Sequence, residues 1–487
     1  MKKYLIFLLL ISLVSTFGCR SKDDTNQNKR YDGVELTYYK VFDDNAVIEP
    51  LINEYIAKHP GMKINFRKFS DFEEYLDTVV NEMAEGEGPD IFSMQNTWFA
   101  SNMAKVTPMP ESEGTIKDFE NVFVDVAYKD LVRVDKDYKE KIFGLPMTVD
   151  SLALYYNKDQ FEDKIPTVGM PSKTWEGIKN DISLLNKMGS GFSAFQVAGM
   201  AIGRADNISR AVDVLYLLFL QHGVNFYNDS MSQAIFAARQ GAKSYPGLDA
   251  LNLFVSFADS RQKHFSWDEN MADRDSAEME VKTFAEGKTS MIFGFSYTYD
   301  DIVKQIDALR AKGIKTIDKN AIRIAEVPQL YDPEESSEKR VTYASYFAET
   351  VSRNCKHPQE AWNFLVYMTS KDVLNKYFEQ TNKPTSRRDM IEDQEKDPIY
   401  GVFASQIGYA ESFPIVNYYL YKEAFTDVIN QANKSGAYQS NLVEAQDLIT
   451  QLLPPDGLIF KANDKSKTTI EKPKDTNPDL KSETTSE

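Results

Sequence analysis

Thiols and imidazoles are scarce in this sequence: two cysteines, Cys19 and Cys355, and 4 histidines in 487 residues. The cysteines could in principle pair, but their spacing matches no metal motif. No histidine stands beside a plausible nucleophile. Gly-x-Ser-x-Gly, His-Glu-x-x-His and the phosphate-binding loop are all absent, which removes the signatures of common hydrolases, zinc proteases and nucleotide-binding proteins. The apolar run Tyr4–Val14 is too short for a comfortable membrane span. Positive charge is in deficit, with 56 Lys and Arg against 73 Asp and Glu and a net charge of −17. A surface so acidic argues against nucleic acid or anionic lipid as partners. No cofactor and no metal site are expected, and catalysis is not.

With 42% hydrophobic and 26% charged residues the chain is globular. At 487 residues it exceeds one ordinary core, so two or three folding units are expected. Aromatics make up 12%, including 26 Tyr. A surplus of tyrosine suits a site that needs flat, partly polar faces. Lys2 and Lys3 precede Tyr4–Val14, the layout of a signal peptide. The following Thr16-Phe17-Gly18-Cys19 resembles a bacterial lipobox, with Thr16 where leucine is usual. That resemblance implies lipidation of Cys19, a membrane anchor, and a mature chain beginning there. A plain secretory signal with a chance cysteine is the alternative. Residues 20–32 are polar and read as a tether. Cys355 is then a lone thiol, expected to be inert.

From Val34 the pattern alternates between strand and helix. Strands are expected at Val34–Val41, Met62–Phe66 and Asp90–Met94, and amphipathic helices at Val47–His59 and Phe72–Glu85. Asp71 is a plausible N-cap of the second helix. Such a βαβαβ order predicts a parallel sheet covered by helices, with ligands collecting at the carboxyl ends of its strands. Those ends are Tyr38–Asp44, Lys68–Asp71 and Gln95–Phe99, which makes Tyr39, Asp71, Asn96 and Trp98 candidate contacts. An indole beside an amide is the chemistry a pyranose ring asks for. Trp98 as a core plug beneath Val106 and Pro108 is the equal alternative.

The next landmark is Lys141–Phe161. Gly144 and Pro146 break it, Thr148, Asp150 and Ser151 follow, and Leu152–Tyr156 is an apolar run of strand length. It reads as a buried strand fed by a crossover between two lobes. At this point the order of motifs becomes recognisable. GPDIFSMQNTWF, Gly144-Leu145-Pro146 and Leu154-Tyr155-Tyr156-Asn157-Lys158-Asp159 come first. Thr174-Trp175, Phe284-Ala285-Glu286-Gly287-Lys288 with Ser290-Met291, Val327-Pro328 and a helix opening at His357-Pro358-Gln359-Glu360-Ala361-Trp362 follow. From about Leu36 to about Arg388 the sequence resembles the family 1 extracellular solute-binding proteins, the maltose-binding-like receptors of ABC importers.

The resemblance implies an α/β, two-lobed periplasmic-binding-protein-like fold of type II. Each lobe is expected to be a mostly parallel sheet flanked by helices, joined to the other by hinge crossovers. Residues 33–145 with 346–386 form lobe 1, residues 146–345 with 387–460 form lobe 2, and residues 461–487 are an apolar-poor, disordered tail. It also implies that a strand-to-helix region contributes ligand contacts, with Arg204, Asp206 and Asn207 as candidates, although one of the last two is expected to cap the helix instead. A ring after Gly294, either Phe295 or Tyr297, is expected to stack on the ligand. Asp150 would lie where lobe 2 meets the cleft, with Tyr343 and Tyr346 on the hinge side. Arg387 reads as a structural ion-pair partner.

The implied function is capture of a sugar or oligosaccharide by hinge closure and delivery to the transmembrane subunits of an ABC permease. The protein would act as a monomer anchored on the extracytoplasmic side. The alternatives are a non-sugar solute such as a polyamine or ferric ion, suggested by Tyr155-Tyr156 and Tyr418-Tyr419, or a surface sensor partner on the same fold. A two-carboxylate glycosidase is a weaker alternative.

Overall fold

The computed structural model describes residues 30–458, apart from 136, 138, 192, 193, 242, 243, 274, 275, 277, 278 and 437. The signal peptide, Cys19 and the tail from 461 lie outside the described residues. The expected tether reaches to 32, but the folded body already includes its end. Tyr31 is buried and its hydroxyl donates to Asn363 (3.0 Å), while Arg30 pairs with Glu113 and Glu360, each at 3.0 Å.

The chain opens as strand β1 (Glu35–Val41), helix α1 (Asn45–Lys58), β2 (Lys63–Phe69), α2 (Phe72–Glu85) and β3 (Ile91–Gln95), followed by the short β4 (Val106–Thr107). The local chemistry explains these limits. The Asp71 carboxylate accepts from Glu74 N at 2.8 Å, Glu73 and Glu74 favour the positive end of the helix, and Gly86 ends it at φ +83. The second lobe contributes β5 (Ala153–Asn157), helix α3 (Ala211–Gln221), β6 (Met291–Gly294) and β7 (Ile322–Ala325). The chain then returns through β8 (Phe347–Ser352), α4 (Pro358–Met368) and α5 (Lys371–Thr381), and later forms α6 (Tyr418–Ser435).

The first sheet has the order β2-β1-β3-β8-β4. Strands β1, β2 and β3 pair in parallel, while β8 runs antiparallel to both β3 and β4. The second lobe departs from expectation: its sheet, β6-β5-β7, is antiparallel at both pairings. The reason is direction of entry. β5 leaves the crossover and runs away from it, whereas β6 and β7 come back toward it through long helical connections.

Two hydrophobic cores fill the lobes. One is built on Leu36, Tyr38, Ile91, Phe99 and Trp362, the other on Tyr155, Trp175, Leu215, Trp267 and Phe425. The segment assigned to lobe 2 from 387 onward is divided between them. Met390, Ile407 and Ala410 belong to the first core, Phe403, Phe413 and Ile415 to the second. This segment is a further crossing: Ile415 N donates to Thr97 O (2.9 Å) in lobe 1, and Tyr227 of lobe 2 donates to Pro414 O (2.6 Å).

The crossovers are stitched to one another. Antiparallel bridges join Leu145 to Glu349, Thr148 to Thr385 and Ser151 to Ala344, while Thr342 and Tyr343 run parallel to Ala410 and Glu411. Gly144 is required here because a Cβ would come within 2.7 Å of the Phe99 ring. Among the described residues no helix is long and apolar enough to cross a membrane. The Cys355 thiol is pushed up to about 12 by burial first and by Asp90 second, so it stays protonated and unreactive at neutral pH.

Candidate functional site

The ends of the first-lobe strands converge at one edge of the sheet, and aromatic rings gather there. Phe42 follows β1, Phe72 lies just beyond β2 and Trp98 just beyond β3. Phe347 begins β8, and because that strand is antiparallel its first residue falls at the same edge. Phe72 is the hub. Its ring centroid lies 6.4 Å from Phe42 in a stacked arrangement, 5.8 Å from Phe347 edge-on and 5.1 Å from Trp98. Phe42 is 51% exposed, an unusual state for phenylalanine. Its φ of +71 is in the left-handed region, where a bulky residue is a genuine outlier. Strain of this kind costs about 1–3 kcal/mol and persists only where the surroundings enforce it.

The enforcement is visible on both sides of Phe42. Its own N–H donates to Phe69 O at 2.8 Å. The next residue, Asp43, is buried and accepts from Tyr377 (2.7 Å) and Lys383 (2.5 Å), with Lys40 at 3.2 Å. Burial alone would raise the Asp43 pKa, but Lys40 and Lys383 outweigh it and pull it down to about 2. Lys40 in turn pairs with the buried Glu349, which also accepts from Ser93 Oγ at 3.0 Å.

The second lobe answers with polar aromatics. Gly294 ends β6, and Phe295 N donates to Thr298 Oγ1 (3.2 Å). This turn places Phe295 in the core with Tyr297 stacked over it at 6.0 Å, so Tyr297 is the exposed ring, at 46%. Arg210, the residue before α3, donates one Nη to both Asp213 and the Tyr297 hydroxyl, each at 3.2 Å. Tyr418, at the start of α6, meets Phe72 across the cleft edge-on at 6.2 Å. Tyr418 also senses the charges of Asp213 and Arg210, and burial with Asp213 pushes its hydroxyl up to about 12. The cleft therefore sets an aromatic group on one lobe against hydroxyl-tipped rings, a guanidinium and a carboxylate on the other. Such a surface stacks on flat C–H faces and hydrogen-bonds the hydroxyls around them.

The residues singled out from sequence divide sharply. Tyr297 lies on the cleft wall. Trp98 sits between the two readings: it is 7% exposed, with one contact on Phe72, and it lines an apolar cavity of about 320 Å³ between α2 and β3. Asp71 is occupied as the cap of α2. Tyr39 packs on Arg67 and Phe69 instead of the cleft, because it lies mid-strand opposite Arg67. Phe295 is buried beneath Tyr297, and Tyr343 is buried among Tyr216, Phe295 and Phe413.

Asn96 and Tyr346 are not open to a ligand. Asn96 is fully buried, donating Nδ2 to Asp130 at 2.8 Å and accepting from Tyr346 N at 3.2 Å. The Tyr346 hydroxyl donates to the same carboxylate (2.9 Å), and Ser412 donates to its other oxygen (2.6 Å). Burial raises the Asp130 pKa while Arg133 opposes it. Tyr346→Phe is expected to lower stability by about 2 kcal/mol, the worth of a hydrogen bond to a buried charge, with ligand affinity unchanged. Denaturant unfolding beside a binding titration checks both halves.

Arg204 and Asn207 are likewise committed elsewhere. Arg204 forms a two-pronged pair with Asp206 (2.9 and 2.7 Å), and Asn207 is fully buried, accepting from Trp267 Nε1 at 2.9 Å and donating to Asp268 O at 3.0 Å. Neither Asp206 nor Asn207 caps α3, whose N-cap position is Arg210. Arg387 is an ion-pair partner of Asp389 at 2.9 Å.

Asp150 is at the cleft margin as a staple. One oxygen accepts from Ser151 N (2.9 Å) and the other from Ser296 N (3.0 Å) and Oγ (2.7 Å). Burial is the larger influence on its carboxyl and, against these donors, pushes it up to about 6. The residues that sequence reasoning missed are Phe42, Phe72, Phe347, Arg210, Asp213 and, as a cleft residue, Tyr418. Strand-end position was the available signal for the first two; nothing local marks the others.

Known proteins resemble this arrangement. The profile of a family described as bacterial extracellular solute-binding protein matches residues 50–401. A putative binding protein from Brucella abortus (strain 2308) is 22% identical over 340 residues, covering 68% of this chain and 72% of that protein. Among solved structures, the sugar-binding protein from Xanthomonas citri superposes with a TM-score of 0.67 at 13% identity, over 86% of this chain and 97% of the other. A cyclo/maltodextrin-binding protein complexed with maltotetraose gives 0.65 at 17% identity, over 86% and 96%. At these identities the structural likeness establishes the two-lobed fold.

Proposed function

This chain belongs to the bacterial extracellular solute-binding proteins, and on that premise we propose that it captures a carbohydrate, most naturally an oligosaccharide, between its lobes and delivers it to an ABC permease. The observation that carries this reading is the line of aromatic rings from one lobe to the other: exposed Phe42 stacks with Phe72, Phe72 meets Tyr418 edge-on, and exposed Tyr297 shares Arg210 with Tyr418. Two aromatic faces on opposite lobes suit a chain of sugar rings, which offers a flat face at each unit. Arg210 and Asp213 supply a donor and an acceptor for hydroxyls beside Tyr297. Structural neighbours were solved with maltotetraose and with cycloalternan, which supports the same class.

Ligand that touches both walls stabilises the state in which they approach, so closure follows from differential contact. The protein binds and releases its solute unchanged. Asp150, held by the Ser151 and Ser296 donors, serves as a staple. Isothermal titration against maltotetraose, other linear and cyclic glucans, and spermidine as a non-sugar control tests the reading. Heat with a glucan supports it; heat with spermidine alone overturns it. The Tyr155-Tyr156 pair does not favour ferric ion. The Tyr155 hydroxyl donates to Phe295 O at 2.7 Å, while Tyr156 faces Phe161.

The anchor belongs to the same proposal. A lipid on Cys19 would hold a monomeric receptor at the outer face of the cytoplasmic membrane. Cys19→Ser is expected to move the protein from the membrane to the soluble fraction, read by fractionation and by mass spectrometry of the N-terminus. A wild-type N-terminus that carries no acyl-modified Cys19 by mass spectrometry would refute the anchor.

A further inference from the structure

Lys383 occupies a position that neither the stacking surface nor the hinge explains alone. It follows Asn382, whose φ of +55 closes α5. Pro384 O then accepts from Val149 N (3.3 Å), and Thr385 faces Thr148 in an antiparallel bridge. Continuing that register by two residues on each strand sets Lys383 opposite Asp150. Cross-strand neighbours of this kind interact directly. Burial and the Ser296 and Ser151 donors weigh most on the Asp150 carboxyl, and the Lys383 charge acts on it last and at longer range.

On its other side the same ammonium meets Asp43 at 2.5 Å and lies 5.8 Å from the Tyr377 ring centroid. Asp43 is the residue that fixes the left-handed Phe42. Behind it stand Lys40 and Glu349, already paired with each other. Asp150 is faced by the donors of Ser151 and Ser296, and Tyr155 and Tyr297 feel its charge. The ammonium thus pairs with the carboxylate under the Phe42 platform, while the strand register sets its residue across from Asp150, which is stapled to the turn that carries Tyr297.

We infer that Lys383 is a positioning residue for the cleft, tying the Phe42 platform of the first lobe to the Asp150 staple of the second. Its charge holds Asp43 in place, and so holds Phe42 at the angle its backbone resists. The same charge sets how readily Asp150 keeps its negative form and its grip on Ser296. Loss of the ammonium loosens both walls together, which a purely local ion pair would not do. Only the ligand arm of the test rests on the carbohydrate reading.

The test uses the full chain with Lys383→Met, Lys383→Arg and, as a control remote from the cleft, Lys376→Met. In ligand-free protein, carbon-13 NMR follows the Asp150 carboxyl through its titration. Its midpoint is expected to rise by about half to one pH unit in K383M, the scale of a lost neighbouring charge, and to return to the wild-type value in K383R and K376M. An unchanged midpoint in K383M overturns the inference. The second arm measures maltotetraose affinity by tryptophan fluorescence at about pH 8, where Asp150 is ionised. A loss of about tenfold in K383M with partial rescue in K383R is expected. Wild-type affinity in K383M overturns it. If the wild-type protein ignores maltotetraose, the carbohydrate reading is what fails, and the carboxyl titration alone decides the role of Lys383.

Discussion

Alanine at both Phe42 and Tyr297 is expected to weaken oligosaccharide binding by about 100-fold, with about tenfold from each single change. Each ring is an exposed face on its own lobe, and each is worth about 1–1.5 kcal/mol once a sugar covers it. The two losses should add, because the rings meet different parts of the ligand. Phe42→Ala carries a second signature. Alanine has no ring to stack, yet it keeps a Cβ at φ +71, so backbone strain remains while its purpose is lost. Phe42→Gly should therefore bind as weakly as Phe42→Ala while unfolding at a higher temperature. Arg204→Ala provides the contrast, since its guanidinium is held by Asp206 away from this wall. Calorimetric titration of the five variants decides the matter. An Arg204→Ala defect as large as that of Tyr297→Ala would show that the cleft has been assigned to the wrong wall.

Asp150→Asn is expected to stabilise the protein by about 2 kcal/mol at neutral pH, after allowing for the solvent that still reaches this half-buried residue. The sign follows from the raised carboxyl. Folding lifts its pKa from 3.8 to about 6, so the folded chain holds a proton that the unfolded chain has already released between those values. Stability from this residue therefore falls as pH rises through that window, and the full penalty is present above it. Asparagine removes the charge and can keep the contacts. Its oxygen accepts from Ser151 N and Ser296 N, and its amide donates to a reversed Ser296 hydroxyl. Urea unfolding at about pH 4 and about pH 8 should show the two proteins equal at the lower pH and separated at the higher. A variant less stable than the wild type at the higher pH would mean that the ionised staple contributes more than its desolvation costs.

Much of the first lobe was legible in the sequence. Helix α2 was expected over Phe72–Glu85 and spans those residues, because Asp71 and Gly86 carry the start and stop chemistry within the segment itself. The strand-end rule also pointed to the edge of the sheet where the aromatic rings gather. It did not say which side chain turns into the cleft. Tyr39 and Phe42 lie three residues apart, yet one packs on Arg67 and the other is thrown outward by a left-handed backbone that tertiary partners impose. Asn96 and Tyr346 had suitable chemistry for a ligand, but they converge with Ser412 on Asp130 from three distant parts of the chain. No local pattern reveals that their hydrogen bonds are already spent.

The stretch Lys141–Phe161 shows the same division. Its buried strand and its break at Gly144 follow from apolar run and turn residues, and Ala153–Asn157 is the central strand of the second sheet. The antiparallel pairing of that sheet depends on where β6 and β7 arrive from, which is fixed by packing across more than a hundred intervening residues. The sequence by itself determined the strands and helices of the first sheet, since these rest on periodicity, caps and turns that act over a few residues, and the family resemblance implied the two lobes and the crossover between them. Only the tertiary structure decided the site: the Phe42 platform, the exposed Tyr297 over a buried Phe295, and the Asp43–Lys383–Asp150 line between the lobes. Those features require side chains far apart in the chain to compete for the same partners, and that competition is settled only when the cores pack.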